Sequence, residues 1–299
     1  MIYTVTLNPA LDYVVQMKKL APGAINRNTS ENIYCGGKGI NVSWILQELG
    51  IRSTVLGFIA GFTGKALAEG LQAHGINTDL ITVQKGMTRI NVKIKAEEET
   101  EINGMGPQIE AEDFEQLKQK MHMLVPGDML VISGSIPSCM HSDAYEKLLE
   151  HVPEGVGIVV DAEKDLLLKI LRYHPFLIKP NVKELGDMLE MELKTEEDIL
   201  AGARKLQELG ARNVLVSMAK DGALLLGEDG SFLHMCAPSG TVVNSVGAGD
   251  SMVAGFLAGW TKTQRYDEAL KLGTACGSAT AFHSGLAAYR EIMDIYKSL

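Results

Sequence analysis

The chain has 299 residues, 46% of them apolar, and carries a formal net charge of -9. That length buries a sizeable core, either as one large domain or as a main domain with a minor one. The acidic balance argues against a non-specific nucleic-acid binder, and Cys35, Cys139, Cys236 and Cys276 are too scattered for a metal site and read as reduced thiols.

Residues 2–7 read as a strand ending at Asn8-Pro9, with further short strands over 12–17 and 32–35. Ile40, Val42, Trp44, Ile45 and Leu49 recur at helical spacing over 39–49, and Gly50 closes that helix. A buried strand over 54–59 and a helix over 64–74 follow, with His74 before Gly75 as a cap. Residues 88–95 then alternate at period two. Glu97-Glu98-Glu99 turns the chain into 100–103, giving a hairpin with one polar face that suits a small sheet projecting from the main body. From 110 onward, helices over 110–124, 142–151, 165–173, 182–189 and 196–209 alternate with strands over 129–133, 157–161, 176–179 and 213–217. Residues 223–226 and 231–235 form an antiparallel pair, and helices over 250–260 and 267–281 finish the chain. Such repeated βα units predict an α/β fold with a mostly parallel sheet flanked by helices. Ligands in such folds sit beyond the carboxyl ends of the strands, where the glycine-rich and charged loops of this chain also fall.

No run of eighteen apolar residues occurs, and the opening MIYTVTLNPALD has no charged leader before an apolar stretch. The expectation is a cytoplasmic protein without a membrane or nucleic-acid partner. His122, His141, His151, His174, His234 and His283 follow no metalloprotease pattern, which argues against a catalytic zinc.

The run Val246-Gly247-Ala248-Gly249-Asp250-Ser251 precedes an apolar helix. Glycines at a helix start can present backbone N–H groups to an anion. A carboxylate beside that anion would be repelled by it, so Asp250 needs a reason to stand there, and general-base work on a hydroxyl that attacks phosphate is one. Gly36-Gly37-Lys38-Gly39-Ile40-Asn41 enters the first long helix as an anion site or a tight turn. It is not a Walker A loop, because Gly39 follows Lys38 where Ser or Thr is needed. Asp12, just past the first strand, can accept from two vicinal hydroxyls or be a solvated turn residue. Arg89 can reach a phosphate over the sheet edge or lie on the surface, and Arg27 is a weaker candidate of the same kind. Ser133-Gly134-Ser135 follows a strand and fits ligand contact or simple turn formation. Lys179-Pro180-Asn181-Val182-Lys183-Glu184 sets Asn181 and Glu184 on one helical face. They suit a hydrated Mg²⁺ or a capping box, and both readings can hold together.

In this order TLNPALD, GGKGINVS, TRINVKIK with ETEING, SGSIP, KPNVKEL and NSVGAGDSMVAGF resemble the ribokinase-like (PfkB) sugar kinases over essentially the whole chain. The resemblance implies one α/β kinase domain over 1–299, with a β-sheet lid built from about 11–36 and 86–104. Such a lid often contributes to a homodimer. It also implies ATP and Mg²⁺ as cofactors and a phosphorylated ketohexose as substrate. Asp250 would be the base, and the amides of Gly247, Ala248 and Gly249 would stabilise developing charge. Asp12, Gly37 and Asn41 would meet the sugar. Lys38, Arg89 and Ser135 would hold its phosphate, with Arg27 from the same or a partner subunit. Lys179, Asn181, Glu184, Ser217, Ala219 and Gly222 would face the nucleotide, with Asn181 and Glu184 organising Mg²⁺ through water. The family often has Gly where this chain has Ala219. Among its members the wording is most similar to those acting on O6 of fructose 1-phosphate, with tagatose 6-phosphate as the rival substrate. A non-catalytic sugar-phosphate sensor on the same fold would not need an acidic residue at 250.

Overall fold

The computed structural model describes residues 1–162 and 164–299. In chain order its strands are β1 (Ile2–Thr6), β2 (Ala10–Gln16), β3 (Ser30–Gly36), β4 (Ser53–Ile59), β5 (Asn77–Thr82), β6 (Arg89–Lys95), β7 (Thr100–Ile102), β8 (Met129–Ser133), β9 (Gly157–Asp161), β10 (Leu177–Ile178), β11 (Asn213–Ser217), β12 (Ala223–Leu226) and β13 (Phe232–Met235). The helices are α1 (Lys38–Glu48), α2 (Gly61–Ala73), α3 (Ala111–Met121), α4 (Ala144–Leu149), α5 (Lys164–Ile170), α6 (Val182–Leu189), α7 (Glu196–Glu208), α8 (Ala248–Thr263), α9 (Tyr266–Ala281) and α10 (Tyr289–Ser298).

Nine strands make the main sheet in the order β13-β12-β11-β10-β9-β8-β1-β4-β5. It is parallel from β5 to β11, with β12 and β13 added antiparallel at one edge. Apolar runs such as MLVIS in β8 and GIVVD in β9 are buried nearly throughout, as strands covered on both faces must be. One apolar layer includes Val5, Phe58, Ile132, Tyr145 and Leu206, and the opposite layer Ile45, Val131, Leu215, Phe256 and Leu270. Strand order reverses at β1, which has β4 on one side and β8 on the other. The crevice beyond its carboxyl end is where such a sheet takes ligand.

The second sheet, ordered β3-β2-β6-β7, acts as a lid on the first. Within it β2 runs antiparallel to β3 and parallel to β6, with Asp12 opposite Asn91. The expected antiparallel pair over 88–103 is present as β6 and β7, although β6 also borders β2 and so lies inside the lid. Two elements, β5 and α10, lie outside the expected set. β5 is an edge strand in which only Ile81 is buried, so no alternation betrays it, whereas α10 is amphipathic, with Ile292 buried and Ile295 and Tyr296 packed beside it at helical spacing. Among the described residues no helix is long and apolar enough to cross a membrane.

Candidate active site

The parallel strands deliver their following loops to one end of the sheet. Asn8 follows β1, Ser133-Gly134-Ser135 closes β8, and Asp161 ends β9. Lys179 to Asn181 follows β10, and the 218–222 turn follows β11. Helix α8 starts at the same end, with Gly247 as its N-cap at φ 80. This is left-handed backbone, and a Cβ there would come 2.7 Å from Leu286 Cδ2, so both conformation and space call for glycine. Ala248 N–H donates to the Ser245 carbonyl at 3.2 Å. That engages Ala248, one of the three amides expected to face an anion, the other two being those of Gly247 and Gly249.

Asp250 is only 5% exposed. Asn41, on α1, donates from Nδ2 to Asp250 Oδ2 at 2.8 Å. Burial, with the negative Asp161 beside it, pushes the Asp250 carboxyl up to about 7, although Asn41, Lys38 and Lys179 oppose the rise. Asp161 is also buried, yet it is held below the usual carboxylate range. Its burial alone would raise it, but Lys179, Lys38 and a hydrogen bond shared with Asp250 outweigh that. Lys179 Nζ lies 3.5 Å and Lys38 Nζ 3.7 Å from Asp161. Burial would lower Lys38, but Asp161, Asp250 and Glu184 together raise it. The result is two carboxyl groups and two lysines in near contact, with Asp250 raised and Asp161 lowered by the same surroundings.

Two clefts flank this group. The larger, about 1100 Å³, is lined by Lys179, Asn181, Ser217, Ala219, Gly222, Ala248 and Gly249 among others, so it gathers most of the residues expected to face the nucleotide, although Glu184 and Gly247 do not line it. The smaller, about 410 Å³, lies under the lid and is lined by Asp12, Asn41 and Lys93 among others. Both Asp12 oxygens are engaged from β6, Oδ1 by Asn91 Nδ2 at 2.8 Å and Oδ2 by Lys93 Nζ at 3.1 Å. Asn181 and Glu184 form a reciprocal cap on α6, each backbone N–H donating to the other's side chain at 2.8 Å. That leaves the second oxygen of Glu184. Among the described residues no group of three or more His, Cys, Asp or Glu is placed to hold a metal ion. So sparse an oxygen set suits a cation that keeps several of its waters, as Mg²⁺ does.

Several predicted residues sit differently from expectation. Asn41 is bonded to Asp250 through Nδ2 while also lining the smaller cleft. Lys38 is drawn to Asp161. Gly37 is the N-cap of α1, and Arg89 donates from Nε to the Asn8 carbonyl at 3.1 Å. Arg27 and Ser135 are exposed and line neither cleft. Asp161 and Lys93 were not singled out from the sequence. A charged residue at the carboxyl end of an apolar strand was a usable signal for Asp161, whereas nothing in the alternation of β6 marked Lys93.

The pfkB family carbohydrate kinase signature matches residues 5–292. The chain is 46% identical over 287 residues to a 1-phosphofructokinase of Bacillus subtilis, covering 96% of this chain and 94% of that protein. It is 39% identical over 288 residues to a D-tagatose-1-phosphate kinase of Bacillus licheniformis, with the same two coverages. Its fold superposes on phosphofructokinase-2 from Escherichia coli, solved in complex with substrates and products, with a TM-score of 0.93. That match has 28% identity and covers 100% of this chain and 99% of the other.

Proposed function

Since the chain belongs to the pfkB family of carbohydrate kinases, which use ATP and Mg²⁺ to phosphorylate sugars, we propose that it transfers the γ-phosphoryl of ATP to O6 of D-fructose 1-phosphate. The products are fructose 1,6-bisphosphate and ADP. The observation that carries this reading is Asp250: a buried carboxylate raised to about 7, bonded to Asn41, which lines the smaller cleft, and next in the chain to Gly249, which lines the larger. A base of that strength is matched to taking a proton from a hydroxyl near neutral pH.

In this reading the sugar phosphate lies under the lid, where Asp12, fixed by Asn91 and Lys93, accepts from its hydroxyls, with Gly37 beside it. Arg89 and Lys38 hold the phosphate it already carries, with Ser135 and, from the same or a partner subunit, Arg27. ATP lies in the larger cleft against Ser217, Ala219 and Gly222. Lys179 and the first-turn amides of α8 meet the transferring phosphoryl, so positioning and charge neutralisation carry most of the rate. Asp250 takes the acceptor proton as the oxygen attacks. Asn181 and Glu184 would hold Mg²⁺ through water, and the ion would neutralise phosphate charge there. The lid excludes water that would otherwise compete as acceptor. Exposed Ile25, Ile33 and Ile102 on or beside the lid strands support its use as a homodimer contact.

The rival substrate is D-tagatose 1-phosphate, because a relative named for that activity matches 96% of the chain. The two sugars differ only in configuration at C4, and both present the same phosphate and the same O6. The test is kcat/KM with ATP against fructose 1-phosphate, tagatose 1-phosphate, fructose 6-phosphate and tagatose 6-phosphate. Fructose 1-phosphate is expected to be best; any other ranking refutes the assignment.

A further inference from the structure

The wall of the larger cleft contains a histidine whose two ring nitrogens both face acceptors. His234, on β13, places Nε2 3.1 Å from the main-chain oxygen of Asp221 and Nδ1 3.1 Å from Glu196 Oε2 at the start of α7. Neither partner has a proton to give near neutral pH, so a neutral imidazole can satisfy only one of them. In either tautomer the other contact becomes a lone pair facing an oxygen. Only the imidazolium donates to both.

What this clamp grips is the turn Ala219–Asp221, which forms part of the cleft wall. The turn is internally bonded, Met218 N–H to Gly222 O at 2.8 Å and Asp221 N–H to Met218 O at 3.0 Å. Ala219 sits at φ 51, a strained conformation for alanine, whereas Gly222 at φ 96 is a position only glycine fits, because a Cβ there would lie 2.0 Å from the Met235 carbonyl. A strained turn keeps its shape only while its surroundings hold it there. The charged groups on this side of β13 are Glu196 from α7 and Lys220 and Asp221 from the turn, with Lys194 and Lys183 lining the same cleft. The neighbouring strand residues Leu233 and Met235 pack instead into the apolar layer that contains α9.

We propose that His234, by bridging the Asp221 carbonyl and Glu196, is a positioning residue that fixes the 218–222 turn for nucleotide binding, so that nucleotide affinity weakens when the bridge is removed from either end. The proposal rests on the larger cleft being the nucleotide site. Binding of ADP, which involves no catalytic proton transfer, is measured by titration calorimetry for the native chain, His234→Gln, Glu196→Gln and the double variant. Each single variant is expected to raise the Kd about two- to fivefold, the size of a half-exposed ion pair, and the double variant no further than the weaker-binding single one. The KM for the sugar phosphate should not move with either substitution. A native-like Kd in the single variants, or effects that add in full in the double variant, overturns the role of His234 while leaving the cleft assignment intact. Failure of the native chain to bind ADP sinks both.

Discussion

Replacing Asp250 by Asn separates the demands of catalysis from those of stability. The Asp250 carboxyl is raised from 3.8 to about 7 in the folded chain, chiefly by burial and then by Asp161. A carboxyl raised on folding favours the native state below its unfolded value, and that advantage is lost as pH rises through the folded one. At pH 8.5, where Asp250 is ionised in both states, a shift of this size is a penalty of about 4 kcal/mol. Asn cannot ionise. Its carbonyl oxygen can still accept from Asn41, and its amide can donate to Asp161. Asp250→Asn is therefore expected to be more stable than the native chain at pH 8.5 by on the order of 2–4 kcal/mol, raising Tm by about 3–6 °C. At pH 4 the difference should be small. Turnover should fall by about 10²–10⁴, with both substrates still bound. Thermal unfolding at the two pH values, together with steady-state kinetics, checks both halves. Near-native kcat removes the base assignment, and a variant less stable than the native chain at pH 8.5 refutes the electrostatic reasoning.

Two further substitutions probe the same end of the sheet. Lys179→Met leaves Asp161 buried with only the half-exposed Lys38 for company and should cost about 3–5 kcal/mol. Adding Asp161→Asn should restore part of that loss, and strict additivity of the two substitutions in chemical denaturation would contradict the pairing. Ala219→Gly should gain up to about 1 kcal/mol, because a left-handed alanine costs about 1–2 kcal/mol and glycine returns only part of it as entropy of the unfolded chain. A drop in Tm for that variant would show that the turn does not hold residue 219 at positive φ.

The legible and illegible parts of the site divide along a physical line. Gly247 and Asp250 stand out in the sequence because each contradicts a local rule: glycine weakens a helix start, and a carboxylate does not belong beside an anion. The capping role of Asn181 and Glu184 was equally legible, since its partners are three residues apart. Asp161 was hidden because locally it is only the last residue of GIVVD. Its importance comes from lateral sheet order, which sets β9 beside β10 and so brings Asp161 to Lys179. Ala219 was visible as a departure from the family's usual glycine, but only backbone geometry shows its cost, at φ 51. The alternation of 88–95 revealed a strand with a polar face, yet not that Asn91 and Lys93 would both be spent on Asp12. Periodicity reports which face is polar; it cannot report which polar group lies opposite.

Asn41 distinguishes the two levels of reading most sharply. As a residue of the GGKGIN loop it is expected to bind a sugar hydroxyl, whereas in the fold its amide donates to Asp250, 209 positions along the chain. That bond stabilises the charged carboxylate and so restrains the rise caused by burial and Asp161. Removing it with Asn41→Ala leaves Asp250 with one fewer donor, and water entering the vacated space can replace only part of it. The acid limb of the kcat/KM profile, expected near pH 7 in the native chain, should then move about 1 unit to higher pH, since a hydrogen bond to a charged group is worth about 1.5–3 kcal/mol before water compensates. At pH 6 the variant should lose roughly tenfold more activity than at pH 9. If Asn41 served only the sugar, the same substitution would raise the KM for the sugar phosphate equally at both pH values and leave the limb where it was. A fixed limb with a raised KM would therefore return Asn41 to the substrate and leave burial and Asp161 as the forces that set the strength of the base.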